Sequence, residues 1–179
     1  MIQNQLQENE SLVEVGQVQE ESSQKEATGW RLVLDIVETI VLSVLLFLAI
    51  NAVSARIRVD GYSMEPTLMN GEFVIVNKLA YRIGEPTIGD VIVFHYPRDP
   101  EQEFIKRVIG LPGDQVSITA GLVYVNNQAL SEPYIAAPPR YDSQWVVPES
   151  SLFVLGDNRN NSSDSHNWGP VPLENVIGK

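Results

Sequence analysis

The 179-residue chain contains no cysteine. That single absence removes a disulfide framework, a thiolate nucleophile and a thiolate metal site. Histidine is nearly absent too: His95 and His166 are the only two, and they stand too far apart in sequence to suggest a local metal-ligating pair. Positive charge is scarce, with 12 Lys and Arg against 23 Asp and Glu and a net charge of -11. A chain so acidic lacks the basic face that nucleic-acid binding requires, and no nucleic-acid partner is expected. Aromatic residues are missing altogether from residues 1–29. After residue 60 no segment sustains an apolar period of 3.6 over three turns, which removes a helical bundle for that part.

Two compositional blocks precede the rest. Residues 1–29 are rich in Gln, Glu and Ser and hold six Glu against Lys25; they lack the apolar area needed to offset the entropy of ordering them, so an acidic, disordered cytoplasmic tail is expected. From Thr39 to Ala55 no charge occurs. At about 1.5 Å per residue those positions cover roughly 25 Å, and the turn of Ile36 to Glu38 brings the length to the ~30 Å of a bilayer core. The expectation is one N-terminal transmembrane helix over 30–55. Two alternatives stay open. A buried core helix would keep a polar face that this stretch hardly has. A cleavable signal peptide would use Val53-Ser54-Ala55 as its small-residue site, but the region before it is long and acidic rather than short and basic. Arg31 on one side and Arg56 with Arg58 on the other leave the orientation undecided.

Beyond Arg58 short β-branched runs are broken by Gly, Pro and Asn. Phe73 to Val76, Val91 to Phe94, Ile105 to Ile109, Val116 to Ile118, Leu122 to Val125 and Leu152 to Leu155 have strand length and composition. Asn126-Asn127 marks a turn, and residues 131–150, with four Pro, read as a surface loop. The expected fold class is mainly β, an antiparallel, barrel-like domain over 56–179 behind the membrane helix.

Reactive groups are few enough to weigh one by one. Ser63 sits in a turn bracketed by Gly61 and Pro66, in Gly61-Tyr62-Ser63-Met64-Glu65-Pro66-Thr67-Leu68. Pro66 prevents a helix from running through, which presents the hydroxyl. A Ser in such a turn is ordinarily a turn residue, and the elbow pattern Gly-x-Ser-x-Gly is not met, because Glu65 replaces the second Gly. A base for it could be His166 with Asp164 or Asp157, in a Ser-His-Asp triad, or a lysine. Lys106 lies among Phe104, Ile105, Val108 and Ile109. In a strand it shares a face with Phe104 and Val108, while Arg107 points the other way with Ile105 and Ile109. Burial among apolar groups lowers a lysine pKa toward a value at which it acts as a base; the plain alternative is a snorkelling surface lysine. Lys78, after Phe73 to Val76, is a weaker rival. The polar stretch Asp157 to Asp164 invites a calcium loop but fails it, with Ser162 where Gly is required and Trp168 where the bidentate Glu belongs. No metal is expected.

Four stretches together resemble bacterial type I signal peptidases, the membrane-bound Ser/Lys endopeptidases that remove signal peptides from exported proteins. The stretch from Gly61 to Leu68 is similar to the family's nucleophile box, and Gly89-Asp90-Val91-Ile92-Val93-Phe94 to its core strand. Lys106-Arg107-Val108-Ile109-Gly110-Leu111-Pro112-Gly113-Asp114 is similar to its general-base box, and Gly156 to Ser165 to its last box. Order and spacing agree from about residue 35 to the end.

The resemblance implies Ser63 as nucleophile and Lys106 as general base, with Ser162 hydrogen-bonding and orienting the amine and Asp164 supporting that end of the site. It implies that the Ser63 N–H donates to the oxyanion, and that Val59, Met64, Leu68, Val93 and Ile105 line shallow apolar pockets for small side chains. It implies no cofactor. The implied partners are the lipid bilayer and the signal peptides of exported preproteins. The implied location is the plasma membrane, single-pass, with the peptidase domain extracytoplasmic; in a photosynthetic source, a cyanobacterium among them, the thylakoid membrane is equally open. Three features depart from the pattern. Gly61 has no hydroxyl to act as a second oxyanion donor. His166 stands where many members carry Arg, so an ion pair there would depend on pH. The chain ends at Lys179, where the resemblance leads one to expect a further strand. Two other classes compete: a self-cleaving Ser/Lys repressor relative, disfavoured by the acidic tail and membrane helix, and a catalytically silent membrane-anchored module that holds apolar peptides. The sequence says nothing of oligomeric state.

Overall fold

The computed structural model describes residues 30–179; the acidic tail expected over 1–29 lies outside the described residues. The described residues divide into two compact units, one ending at Ile50 and the other spanning Asn51–Lys179.

Helix α1 spans Trp30–Val53, and no part of its most apolar 18-residue window is buried inside the protein. At about 1.5 Å per residue its 24 residues reach roughly 36 Å, enough to cross a bilayer core. Two of its hydroxyls are satisfied by the helix itself: Thr39 Oγ1 donates to the Asp35 carbonyl at 2.7 Å and Ser43 Oγ to the Thr39 carbonyl at 2.8 Å. Hydroxyls tied back in this way expose few unpaired groups to lipid. The helix stops two residues earlier than its composition suggests. Ser54 and Ala55 belong instead to strand β1 (Ser54–Arg58), which pairs antiparallel with β2 (Phe73–Asn77) in the register Ser54↔Asn77 to Arg58↔Phe73. The Lys78 N–H donates to the Val53 carbonyl at 2.9 Å, so the end of the helix is set by a sheet partner rather than by a helix breaker.

The second unit is built from antiparallel sheets, as the strand-length runs predict. The central strand is β4 (Asp99–Gly110), twelve residues long. It pairs with β3 (Val91–Tyr96) and, through its last residues, with β9 (Ser151–Leu155). Strands β10 (Val171–Pro172) and β11 (Val176–Gly178) complete the order β10-β9-β4-β3-β11. A second sheet has the order β7-β6-β5-β8, formed by β5 (Gln115–Thr119), β6 (Leu122–Val125), β7 (Gln128–Ala129) and β8 (Ser143–Val146).

Strand β9 is buried along its whole length because it separates two cores. Phe153 and Leu155 point to one, with Ile109, Val116, Ile118, Val123 and Val147. Leu152 and Val154 alternate to the other, with Ile92, Phe94, Val108 and Trp168. Strand β4 repeats this one step out of phase through Val108 and Ile109.

The Asn126-Asn127 turn has φ of 50° and 65° and joins β6 to β7 as a two-residue hairpin, which Asn tolerates. The loop expected over 131–150 needs correction. It contains β8, which pairs with β5 from Gln115↔Val146 to Ile118↔Ser143 and brings Trp145 within 4.8 Å of the Phe153 ring. Flanking Pro139 and Pro148 disguise a four-residue strand whose only large core-facing side chain is Trp145.

Candidate active site

The turn carrying Ser63 is held from both sides. Gly61, at φ 109°, takes a backbone conformation open mainly to glycine, and its N–H donates to Asn70 Oδ1 at 3.0 Å. Met64, 1 % exposed, anchors the turn in the interior. The Ser63 carbonyl accepts from the Asn158 N–H at 3.0 Å, and the Tyr62 carbonyl from Asn158 Nδ2 at 3.1 Å. The segment after β9 therefore fixes where the hydroxyl points.

Lys106 projects from β4 into this turn. It is 4 % exposed, and Nζ lies 2.8 Å from Ser63 Oγ and 2.9 Å from the Ile105 carbonyl. The Phe104 ring centroid is 5.2 Å away. No carboxylate is hydrogen-bonded to the amine among the described residues. Burial pushes its pKa down to about 8, against the opposing pull of Asp164 and Asp157 at a distance. A lysine at that value is neutral in about one molecule in ten at pH 7. As an ammonium, Nζ donates to Oγ; once it loses a proton, its lone pair can accept from the Ser63 hydroxyl.

Arg107, on the opposite face, ties three segments together. Its Nε and Nη2 bind Asp157 Oδ1 and Oδ2 at 2.8 and 2.6 Å, Nη1 donates to the Gly89 carbonyl at 2.8 Å, and the guanidinium stacks 4.0 Å from the Tyr134 ring centroid. Thr67, from the Ser63 turn, also donates to Asp157. Burial alone would lower the Arg107 pKa; the Asp157 carboxylate outweighs it and raises it. Arg159, 1 % exposed, repeats the arrangement with Glu132, at 2.7 Å, and donates to the Gly156 carbonyl. Buried charges paired in this way are costly to separate.

Asp164 caps helix α2 (Ser165–Trp168), accepting from the His166 N–H, while the Asn167 side chain returns to the Asp164 N–H. Its Oδ2 accepts from the Gly156 N–H at 2.9 Å, and its Oδ1 meets His166 Nδ1. Gly156 is a point of close approach: a Cβ there would stand 2.2 Å from Ser162 Oγ and 2.4 Å from the Ser63 carbonyl oxygen. Ser162 is thus packed against the backbone beside Ser63. The expected hydrogen bond from Ser162 to the lysine amine is not formed, however; its buried Oγ has no partner among the described residues.

The five apolar candidates divide between two hollows. Val59, Met64 and Ile105 line a groove of about 290 Å³ together with Ser63 and Lys106. Leu68 and Val93 lie instead in a neighbouring hollow of about 450 Å³ with Val74 and Val76, and Ile105 forms a wall of both.

A family model described as signal peptidase, peptidase S26, matches residues 33–179. The chain is 44 % identical over 170 residues to a probable signal peptidase I-2 of Synechocystis, covering 90 % of this chain and 78 % of the relative. It is 48 % identical over 154 residues to a signal peptidase I of Leptolyngbya laminosa, covering 80 % and 75 %. A crystal structure of a signal peptidase I from Enterococcus faecalis aligns with a TM-score of 0.50 at 35 % identity, over 53 % of this chain and 96 % of that one.

The chain belongs to the S26 signal peptidase family. It is a signal peptidase, hence a peptide hydrolase, and its N-terminal apolar helix makes it a membrane-anchored one.

Membership and geometry narrow the alternatives left by the sequence. The Ser-His-Asp arrangement is not assembled: His166 stacks on Tyr141, at 4.3 Å between ring centroids, and is engaged by Asp164, while Asp157 serves Arg107. Lys78 lines a separate hollow with Tyr81, Arg82 and Leu173. Sequence reasoning missed Arg107, Arg159, Glu132 and Gly156 as builders of the site. One signal was available for Arg107, a cation whose strand neighbours on its own face, Ile105 and Ile109, are apolar and which therefore needed a buried carboxylate. With 23 acidic residues to choose from, the pattern could not say which.

Proposed function

We propose that this signal peptidase cleaves the signal peptides of exported preproteins with Ser63 as nucleophile and Lys106 as general base. One observation carries the reading: a buried amine, its pKa depressed to about 8, lies 2.8 Å from the serine oxygen. Neutral Lys106 takes the hydroxyl proton as Oγ bonds to the scissile carbonyl carbon; the ammonium so formed returns that proton to the leaving amine as the C–N bond breaks. Water then attacks the acyl-enzyme, with Lys106 again accepting the proton. The Ser63 N–H is the oxyanion donor, and Gly61 adds none. Asp164 supports Gly156 and so the packing of Ser162 and Ser63, while Ser162 steadies the site by contact with that glycine.

Alternate side chains of an extended peptide fall on one face. The two hollows joined at Ile105 therefore receive alternate residues before the cut: Val59 and Met64 bound the nearer, Leu68 and Val93 the farther. The nearer groove is small, which favours a small residue next to the scissile bond. Anchoring through α1, in the plasma membrane with the β domain extracytoplasmic and the N-terminal tail cytoplasmic, restricts the search for a membrane-inserted signal peptide to a confined layer.

The test is cleavage of a preprotein in proteoliposomes by Ser63→Ala and Lys106→Ala variants whose far-UV and near-UV circular dichroism match the parent. Both should lose cleavage by at least about three orders of magnitude, as loss of a nucleophile or its base does elsewhere. Near-parental turnover in either variant removes the dyad and favours a different nucleophile.

A further inference from the structure

His166 is not required by the dyad, yet its position ties it to the lysine. Its ring nitrogen Nδ1 meets Asp164 Oδ1, the second oxygen of that carboxylate holds the Gly156 N–H, and Gly156 abuts both Ser162 and the Ser63 carbonyl. Asp164 is fully buried, whereas the His166 side chain is 17 % exposed and can exchange protons with solvent. We propose that His166 is a positioning residue for Lys106, whose charge, relayed through Asp164, sets how strongly the buried carboxylate holds the amine in its protonated form. The inference rests on Lys106 as the base.

The sign follows from the arrangement. Asp164 acts on Lys106 as a negative charge that favours the ammonium. An imidazolium at 166 neutralises that carboxylate and frees the amine; a neutral imidazole still donates through Nδ1–H but leaves the negative charge in place. Histidine is the side chain whose ordinary charge change falls near neutrality. Of the other groups facing this pair, Tyr141, stacked on the ring, is held neutral by burial and by Asp164. Arg159 is paired with Glu132, and Asp157 with Arg107. The imidazole is the partner of Asp164 that reaches solvent.

The experiment uses the full chain in detergent micelles. The pH dependence of kcat/KM on a signal-peptide substrate is measured for the parent, His166→Arg, which fixes a positive charge, and His166→Gln, which keeps a hydrogen-bond donor without one. The rising limb of the Arg variant should lie about half a pH unit below that of the Gln variant, about threefold in neutral amine at a fixed pH on the limb. Since Arg is larger and its variant can fail to fold, a second measurement needs only a neutral replacement elsewhere. Coupling between two titrating sites is reciprocal, so NMR titration of the His166 ring in Lys106→Met should move to higher pH than in the parent. An unmoved ring titration, or Arg and Gln limbs that coincide while the ring titration is also unmoved, overturns the inference and leaves His166 as packing for Tyr141. A moved ring titration with coincident limbs instead removes Lys106 as the base, separating failure of the proposed mechanism from failure of the coupling.

Discussion

Replacing Lys106 by Met should make the protein more stable at neutral pH while destroying its activity. The ammonium is kept folded against its own desolvation. A pKa lowered from 10.5 to about 8 corresponds to about 3 kcal/mol of destabilisation wherever both folded and unfolded lysines are protonated. The folded pKa lies below the unfolded one, so the cost is full below pH 8. Between pH 8 and 10.5 the unfolded chain binds the extra proton, and stability rises with pH. Above 10.5 the cost is gone.

Met matches the lysine stem in length and carries no charge, but it forfeits the contacts to Ser63 Oγ and the Ile105 carbonyl, at about 1 kcal/mol each. At pH 7 the variant should therefore be more stable by about 1 to 2 kcal/mol, about 5 °C in Tm for a domain of this size. Near pH 10.5 the order should reverse, the difference between the two proteins having changed by about 3 kcal/mol. Thermal unfolding of full-length parent and variant, followed by near-UV circular dichroism in micelles at several pH values, measures this directly. A parent more stable than the variant at pH 7, by an amount that does not change up to pH 10.5, would refute a lysine strained by burial.

Other perturbations test the frame around the dyad. Gly156→Ala drives a methyl to within 2.2 Å of Ser162 Oγ and 2.4 Å of the Ser63 carbonyl. It should cost about 1 to 3 kcal/mol in chemical denaturation and, by displacing the nucleophile, about a hundredfold in kcat; parental kcat would mean the close approach does not position Ser63. Arg107→Lys keeps the charge but loses the two-point contact to Asp157 and the stacking on Tyr134. About 2 to 3 kcal/mol of stability should go with them, and an unchanged urea midpoint would show that the pair contributes no net stability.

What could be read from sequence followed from local patterns. Alternating or continuous β-branched runs revealed six strands because side-chain period and composition are local properties, and the uncharged stretch ending near Ala55 revealed α1 for the same reason. Where pairing overrides local character, reading failed: Ser54 and Ala55 look helical beside Val53 but are recruited into β1 by Asn77 and Val76. Strand β8 hid between prolines, and the Ala120-Gly121 turn between β5 and β6 hid because Ala at φ 52° is disfavoured in isolation. The site divides the same way. The bracketed turn around Ser63 and the apolar strand around Lys106 were legible through their own neighbours, but those neighbours left His166 and Lys78 open as rivals, and it was the resemblance that paired the two. The Asp157 partner of Arg107, the Glu132 partner of Arg159 and the separation of Leu68 and Val93 from the Ser63 groove depend on contacts between distant segments, which no short pattern records.

If a buried amine, uncharged part of the time, activates Ser63, the pH dependence of kcat/KM for signal-peptide cleavage by the full chain in lipid should show it. A rising limb with an apparent pKa of about 8 is expected, the value to which burial brings Lys106. A limb still climbing beyond pH 10, or activity independent of pH between 6 and 9, would contradict it.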